Sequence, residues 1–444
     1  MRIREAHLCI LILTVALVVL LMSGLVQAAG GGDIVSVTAI AETLPEGQKV
    51  TAVAIEYLEP IAAEAVSMSV FSVAGRSITR CYVNSSGDKG DVKPEGNYVI
   101  LELGIDPAPG SPVGGTLLYA NGLNERLPIH LSIVQKADIT TLAGNTILPG
   151  GFTNTAERNL GVDGVFEAHS YTNPVDGTVL NYRLFVPKNH VGEPLPLVVF
   201  LHGAGEKGKN NIVQLLANPS ALEWTTDAAQ AKNPCIVLAP QCPPDTSWAI
   251  NVGTEEMPVY ESSVALRNVK LLVDQLVTEH SIDTARIYGT GLSMGSMGTL
   301  MMALENPTLH AALLTICGAS VYPDEQVAGI VEKPIWAIIA SDDMPRLVEG
   351  VRTLIPQLER LGGTVSRSVG DGAWNGFLRG EAANAQALAQ IADAKARNAN
   401  ILYSEYIAGT VIPSGHWSWM AVYSTDAIRE WVFSQRADEP YQPE

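Results

Sequence analysis

The sequence contains few charged residues and few cysteines, and it lacks both a Cys-x-x-Cys pair and a histidine-rich cluster. Only 17% of the 444 residues are charged and 47% are apolar, a composition that excludes a disordered chain and fits two domains. The formal net charge of −18 disfavours nucleic acid and anionic membrane surfaces as partners. Without a cysteine or histidine cluster, no metal site is expected.

The four cysteines beyond the N-terminal segment are sparse and follow no disulfide pattern. They are Cys81, Cys235, Cys242 and Cys317. Cys235 and Cys242 bracket the strand-like run Ile236–Ala239, which would hold them about 20 Å apart in an extended chain. These two cysteines should therefore not pair unless the chain folds back after Pro240.

The first 28 residues have the pattern of a secretory signal. A short basic region precedes an apolar run from Leu8 to about Leu21, and Val26 and Ala28 fit the positions before a cleavage site. We predict cleavage near Ala28, an extracellular or periplasmic location, and no stable membrane association afterwards. The alternative is an uncleaved anchor, because the run extended through Val26 approaches the ~20 residues that span a bilayer.

The remaining chain divides into two regions of different hydrophobic pattern. From residue 33 to 138, apolar residues such as Val53 and Ile55 alternate with neighbours, and turn residues separate the runs. This pattern predicts a small antiparallel β-sandwich. Residues 139–165 are rich in Thr, Asn and Gly and predict a linker into a second domain over residues 166–438.

The second domain alternates continuous apolar runs with helical patterns. Helical spacing extends from Val264 to Leu276 and from Leu347 to Leu361. Strands that are apolar throughout and are separated by helices predict a mostly parallel sheet covered on both faces. Val179–Val186 is the initial strand, and the apolar runs that follow it are Leu195–Leu201, Cys235–Ala239, Arg286–Tyr288, Ala311–Cys317, Pro334–Ala340 and Ile401–Tyr406.

The segment Gly291-Leu-Ser-Met-Gly295 joins one of these apolar runs to a helix-compatible segment. A G-x-S-x-G pattern at such a junction is typical of a nucleophile elbow, in which a strained turn lifts the serine hydroxyl above the sheet. Ser293 is therefore the candidate nucleophile. In a chain with 40 glycines the pattern alone is weak, so the rest of the sequence must supply its partners.

A nucleophilic serine needs a base, and in α/β-hydrolases the histidine follows the serine and the acid in the chain. Only His310 and His416 follow Ser293. His310 stands in the turn after the nucleophile helix, and no carboxylate at a strand end precedes it. His416, in a loop after the last strand, is therefore the predicted general base.

The acid should stand at the end of a strand between the serine and the histidine. The run Pro334–Ala340 leads into Ser341, Asp342 and Asp343, so two carboxylates fall where the chain leaves the sheet. One of them can accept a hydrogen bond from the imidazole Nδ1 and fix its tautomer. We favour Asp343 and keep Asp342 as the alternative.

An oxyanion hole needs two backbone amides aimed at the tetrahedral oxygen. Met294, the residue after the nucleophile, supplies one of them. The run Leu195–Leu201 opens into His202-Gly-Ala-Gly205, where small residues let backbone amides approach a substrate. Ala204 is the preferred second donor, Gly205 is the next, and His202 is expected to brace this loop.

Three tryptophans flank these motifs and are candidates for the wall of a substrate pocket. They are Trp248, Trp417 and Trp419. Indole walls would suit small apolar or aromatic esters, and core packing is the alternative, above all for Trp419. Residues 370–400 add a helical segment, interpreted either as a lid carrying Trp374 and Phe377 or as a packed surface helix.

Several segments resemble one known family: LHGAGEKG, APQCP followed by Trp248, RIYGTGLSMG, ICGAS and SGHWSW. They resemble secreted α/β-hydrolase esterases with an N-terminal immunoglobulin-like domain, a group related to feruloyl esterases and polyhydroxybutyrate depolymerases. The resemblance implies ester hydrolysis without a cofactor, with Ser293 as nucleophile, Asp343 as acid and His416 as base. The family's usual H-G-x-x-D pattern is here Ile339-Ala-Ser-Asp-Asp343, so the chain departs from the family at the acid.

Two other functions stay open at this point. A peptidase of the prolyl-oligopeptidase type would use the same three residues on amides, and a binding protein would keep the hydrolase fold without activity. For an esterase the expected partner is a small-molecule ester. The β-domain is a candidate surface for homo-oligomer formation.

Overall fold

A computed structural model describes residues 33–106, 112–188, 190, 192–254 and 258–443 of the chain. The predicted signal peptide, residues 1–28, lies outside these described residues. Within them, no helix combines the length and the apolar character needed to cross a bilayer. The chain forms two compact units, and the second unit takes in the segments Thr43–Gln48 and Leu117–Arg126, which interrupt the first unit in sequence.

The first unit is a sandwich of two β-sheets. The strands up to Leu160 are β1 (Ile34–Leu44), β2 (Gly47–Ala62), β3 (Phe71–Val73), β4 (Ile78–Asn84), β5 (Glu95–Leu103), β6 (Leu117–Ala120), β7 (Leu123–Arg126), β8 (Ser132–Gln135), β9 (Ile139–Thr140), β10 (Thr146–Ile147), β11 (Gly150–Thr153) and β12 (Ala156–Leu160). One sheet has the order β12-β1-β2-β5-β4 and the other β11-β8-β3. Val53 and Ile55 of β2 share a buried core with Phe71 of β3 and Ile133 of β8, so the alternating residues point inward as predicted.

The predicted linker over residues 139–165 is wrong for most of its length. Strand β11 pairs antiparallel with β8, and β12 pairs parallel with β1, so both belong to the sandwich. Both strands lie at sheet edges and bury few side chains, which is why they lack the period-two apolar pattern of a half-buried strand. The first unit therefore extends to Leu160, beyond the predicted end at residue 138.

The second unit contains one large sheet with helices. Its strands are β13 (Glu167–Thr172), β14 (Val179–Phe185), β15 (Leu195–Leu201), β16 (Ile236–Gln241), β17 (Ala249–Asn251), β18 (Tyr260–Ser262), β19 (Ile282–Leu292), β20 (Ala312–Ile316), β21 (Ile335–Ala340), β22 (Val365–Ser368) and β23 (Ile401–Tyr406). Its helices are α1 (Val213–Leu216), α2 (Asp227–Lys232), α3 (Val264–Glu279), α4 (Met294–Glu305), α5 (Asp324–Val327), α6 (Pro345–Arg360), α7 (Gly380–Arg397), α8 (Trp419–Tyr423) and α9 (Asp426–Phe433).

The large sheet is the mostly parallel sheet that the apolar runs predicted. Nine strands have the order β13-β14-β16-β15-β19-β20-β21-β23-β22. The pairs β13·β14 and β14·β16 are antiparallel, and the pairs from β16 to β22 are parallel. Every residue of β15 and β21 is buried, because helices cover both faces of the sheet. The carboxyl ends of β15, β19, β20 and β21 therefore meet at one edge.

The segment over residues 370–400 belongs to the framework of the sheet. Helix α7 joins the parallel neighbours β22 and β23, so it is a crossover helix. Trp374 is buried edge-on against Trp336 and Tyr406, with ring centroids 5.8 and 5.7 Å away. These contacts favour the packed helix over the lid. The sequence missed β22 because an edge strand of four residues, two of them polar serines, carries little apolar signal.

Candidate active site

Ser293 occupies a sharp turn between β19 and α4. Its φ of 54° and ψ of −118° lie in a region that side-chain-bearing residues rarely adopt. The Ser293 amide donates to the carbonyl of Ile316 on the neighbouring strand at 2.9 Å, which holds the turn against the sheet. This is the strand-turn-helix context that the G-x-S-x-G pattern predicted.

The two glycines of the pattern allow helix α4 to approach the sheet closely. A Cβ on Gly295 would lie 1.9 Å from the Leu201 carbonyl oxygen at the end of β15, and one on Gly291 would lie 2.4 Å from the Gly295 carbonyl oxygen. Backbone atoms cannot move aside as a flexible side chain can. Both positions therefore require glycine, and the end of β15 is held beside the nucleophile turn.

His416 lies between Ser293 and Asp343. Its Nδ1 is 2.7 Å from Asp343 Oδ1, and its Nε2 is 3.0 Å from Ser293 Oγ. The Asp343 side chain has no exposed surface, whereas the imidazole keeps 20% of its surface exposed. Since a carboxylate accepts hydrogen bonds, Nδ1 carries the proton, and Nε2 is then free to accept the serine hydroxyl proton.

Asp342 has a different set of contacts from Asp343. Its Oδ2 accepts from the Gly409 amide at 2.7 Å, and its Oδ1 lies 2.4 Å from where a Cβ on Gly415 would stand. Gly409 and Gly415 belong to the loop that carries His416. Asp342 therefore holds the histidine loop while Asp343 contacts the histidine itself.

His310, the other histidine after Ser293, has the surroundings of a core residue. It is buried, and its ring lies 2.9 Å from the position of a Cβ on Gly289 in the middle of β19. Burial lowers the pKa of His310 to about 3, so its ring is neutral and packed. The contacts of His310 are those of a core residue.

The loop after β15 forms a 3-10 turn, Ala204–Glu206, that is braced from below by His202. The Cys242 amide donates to His202 Nε2 at 2.9 Å, so Nδ1 carries the proton and donates to the Gly203 carbonyl at 2.6 Å. Burial lowers the pKa of His202 to about 4. Ala204 itself is exposed.

Trp248 does not line a pocket, which corrects the prediction. The indole has no exposed surface, and its Nε1 donates to the His202 carbonyl at 3.0 Å. Its Cβ lies 2.5 Å from the position of a Cβ on Gly298 of α4, so the residue fills the space between the helix and the loop. Trp248 supports the loop after β15 through this hydrogen bond. The sequence pattern could place it near the motif but could not distinguish a wall from a support.

The other two tryptophans lie beside His416. The Trp419 ring stands perpendicular to the imidazole with centroids 5.3 Å apart, and the Trp417 ring stacks on Trp419 at 5.8 Å. Trp419 is 9% exposed and Trp417 is partly exposed. Trp419 therefore fixes one face of the histidine, and Trp417 is the indole that remains open to solvent.

Sequence reasoning missed three features near the site. The Cys317 thiol lies with Asp343 and His416 so that one potential ligand atom from each falls within 4.8 Å of the others. Asn124 of the hairpin β6–β7 donates from Nδ2 to the Gly205 carbonyl at 3.1 Å. Glu206 is a buried acid directly after the glycines. Only Glu206 left a signal in the sequence, because a charged residue in a Gly-rich loop after a buried strand is unusual.

Both units are similar to parts of known esterases. Residues 36–148 match a family model described as the esterase Ig-like N-terminal domain. A solved thermostable esterase is similar over 90% of this chain and 100% of its own, with 34% identity and a TM-score of 0.77. No curated protein was found to match the chain.

Two more distant solved structures are similar only to part of the chain. One is the S954A mutant of the feruloyl esterase module from Clostridium thermocellum, which is 12% identical, covers 59% of this chain and 87% of its own, and has a TM-score of 0.37. The other is S-formylglutathione hydrolase from Staphylococcus aureus, which is 12% identical, covers 60% of this chain and 96% of its own, and has a TM-score of 0.36.

We expect Gly295→Ala to abolish activity and to destabilise the protein by at least about 3 kcal/mol. The new methyl group would overlap the Leu201 carbonyl, so either the helix or the strand must move and carry Ser293 with it. Urea unfolding and ester hydrolysis measure the two effects. Gly372→Ala is the control, because a Cβ there has no atom within 4 Å. A Gly295→Ala protein as stable and active as this control would contradict the close crossing.

Proposed function

The chain belongs to the esterases that combine an immunoglobulin-like N-terminal domain with an α/β-hydrolase domain, and on that basis we propose that it hydrolyses small or aromatic carboxylic esters through an acyl-enzyme on Ser293. It is thus a serine hydrolase acting on ester bonds. The observation that carries the finer proposal is the unbroken hydrogen-bond chain from Ser293 Oγ through His416 to Asp343. An imidazole held in this tautomer can take the serine proton when the hydroxyl attacks a carbonyl.

The reaction proceeds in two halves. Ser293 Oγ attacks the ester carbonyl while its proton moves to His416 Nε2, and the tetrahedral oxyanion accepts hydrogen bonds from the amides of Met294 and Ala204. The imidazolium then gives the proton to the departing alkoxide, which leaves as the alcohol. In the second half, water attacks the acyl-enzyme with His416 as base, and the acid is released with Ser293 restored.

The surroundings of His416 support a preference for apolar or aromatic esters. The ring of Trp419 contacts the imidazole, and the partly exposed indole of Trp417 stacks on Trp419. An aromatic surface next to the reacting atoms favours flat, apolar substrate groups over charged ones. Small or aromatic esters are therefore the proposed substrate class.

Export belongs to the same proposal and is supported by the N-terminal sequence. The basic region, the apolar run and the small residues around Ala28 have the order of a cleavable secretory signal. The four cysteines of the mature chain are all free thiols among the described residues, so the fold does not depend on an oxidising compartment. An exported esterase would meet its ester substrates outside the cytoplasm.

Ser293→Ala should lower kcat by several orders of magnitude, on the order of 10⁶ by comparison with serine proteases, because no other group can form the acyl-enzyme. Hydrolysis of p-nitrophenyl esters of graded chain length, a feruloyl ester and the matched peptide amide measures this. We expect turnover of the esters by the wild type and little turnover of the amide. Near-normal ester hydrolysis by the variant would contradict the nucleophile, and faster turnover of the amide would favour a peptidase.

Asp343→Asn should lower kcat by about 10⁴-fold, because an amide cannot hold the imidazole in the tautomer that accepts the serine proton. Asp342→Asn is the matched variant, one residue away, and it should cost less than about tenfold since its contact orders only the loop. Steady-state kinetics on one ester compares the two. A larger loss in Asp342→Asn would show that the acid is assigned to the wrong residue.

Cleavage of the signal should leave Ala29 as the first residue of the exported protein, since Ala28 fits the position before the cut. N-terminal sequencing of the protein from a secreting host tests this. An intact N-terminus recovered in the membrane fraction would instead identify an uncleaved anchor.

A further inference from the structure

The hairpin of strands β6 and β7 contacts the turn Ala204–Glu206 within the second unit. The two strands form a sheet of their own, and the two-residue loop between them is Asn121-Gly122. The φ angles of this loop are 53° and 79°, the positive signs that a type I′ turn requires. The hairpin therefore has a tight turn and a fixed register, so the faces on which its side chains stand are also fixed.

Asn124 is the hairpin residue that binds the turn. Its Nδ2 donates to the Gly205 carbonyl at 3.1 Å. A Cβ on Gly205 would lie 3.0 Å from that nitrogen and 3.4 Å from Cε2 of Tyr119, the cross-strand neighbour of Asn124. Opposed residues of an antiparallel pair stand on the same face of the sheet. One face of the hairpin is thus applied to Gly205, and the missing side chain of the glycine permits the approach.

Two side chains fix the two ends of this turn. The Gly203 carbonyl and the Ala204 amide belong to one planar peptide group, and His202 Nδ1 donates to that carbonyl at 2.6 Å. The bond from His202 therefore sets the direction of the Ala204 N–H. Asn124 holds the Gly205 carbonyl at the other end of the turn. The backbone torsions of Ala204 and Gly205 lie between these two bonds, and a glycine without such a contact would leave them free.

The two amides that are candidate oxyanion donors are available to a substrate. Neither the Ala204 amide nor the Met294 amide has a hydrogen-bond acceptor among the described residues. Met294 is the first residue of α4, where a helix leaves its amides without an internal partner. A preorganised donor of this kind stabilises the charge that develops on the carbonyl oxygen, provided that its direction is held.

We propose that Asn124 is a positioning residue that holds the turn so that the Ala204 amide is aimed at the oxyanion. The inference rests on the proposed function, because it assigns Asn124 a task in that same reaction. Asn124 does not touch the reacting atoms and acts through the Gly205 carbonyl. Its hydrogen bond is present before any substrate binds, so the turn does not have to be ordered during the reaction.

The first test is Asn124→Ala, assayed with p-nitrophenyl acetate. An oxyanion contact forms in the transition state, so we expect kcat to fall about 10- to 100-fold while KM stays within about twofold. Phenylboronic acid, which forms a tetrahedral adduct with an active serine, should bind more weakly by a similar factor. The thermal midpoint should fall by less than about 4 °C, because one partly exposed hydrogen bond is lost.

Glu125→Ala is the matched control for this variant. Glu125 is the next residue of β7, it is exposed, and its side chain stands on the opposite face of the hairpin from Asn124. Glu125→Ala should therefore match the wild type in kcat, KM, affinity for phenylboronic acid and thermal midpoint.

The second test is a double-mutant cycle with Ala204→Pro, which removes the N–H that Asn124 is proposed to aim. Proline fits the first position of a helical turn, and Gly203 has φ of −78° and ψ of −177°, the extended conformation that favours a following proline. Ala204→Pro should lower kcat about 10²- to 10³-fold. In this background Asn124→Ala should lower kcat less than about threefold, because the donor is already gone.

Three results would overturn the proposal: an unchanged kcat in Asn124→Ala, a lower kcat without weaker binding of phenylboronic acid, or equal losses of kcat with and without Ala204→Pro. If Ala204→Pro does not fold, the boronic acid comparison decides. Ser293→Ala on the same ester separates this inference from the proposed function. A wild type without Ser293-dependent hydrolysis would contradict the proposed function and this inference with it, whereas an active wild type with a fully active Asn124→Ala contradicts this inference alone.

Discussion

The close crossing of helix α4 and strand β15 is the constraint on which the rest of the site depends. At Gly295 the helix backbone lies so near the Leu201 carbonyl that a single methyl group would not fit. On the other side, a Cβ on Gly318 would lie 2.7 Å from the Ser293 carbonyl oxygen. The nucleophile turn is therefore enclosed by backbone on two sides, and the positive φ of Ser293 is maintained by contacts that cannot relax independently.

This enclosure explains why the partners of Ser293 come from so many elements. The carboxyl ends of the parallel strands meet at one edge, so the loops after β21 and β23 bring Asp343 and His416 within reach of Ser293. The loop after β21 supplies two carboxylates with separate contacts, Asp343 to the imidazole and Asp342 to the histidine loop. Asp343 thus holds the ring of His416, and Asp342 holds the loop that carries this histidine through the Gly409 amide.

Much of this arrangement could be predicted from the sequence, and the failures share a physical cause. Strands β15 and β23 had the predicted limits because they are buried on both faces, and His416 was found because chain order leaves few candidates. The edge strands β11, β12 and β22 were missed since they bury little. The roles of Trp248 and Glu206 are set by the atoms that surround them after folding. Those neighbours are distant in sequence, so no local pattern predicts them.

A covalent acyl group on Ser293 is the intermediate of the proposed reaction, and peptide mass spectrometry after rapid acid quenching of the protein mixed with p-nitrophenyl acetate detects it most directly. Acid stops deacylation, so any intermediate remains attached. We expect the peptide containing Ser293 to gain the mass of one acetyl group during turnover. Steady ester hydrolysis with no acetyl group on that peptide would contradict it.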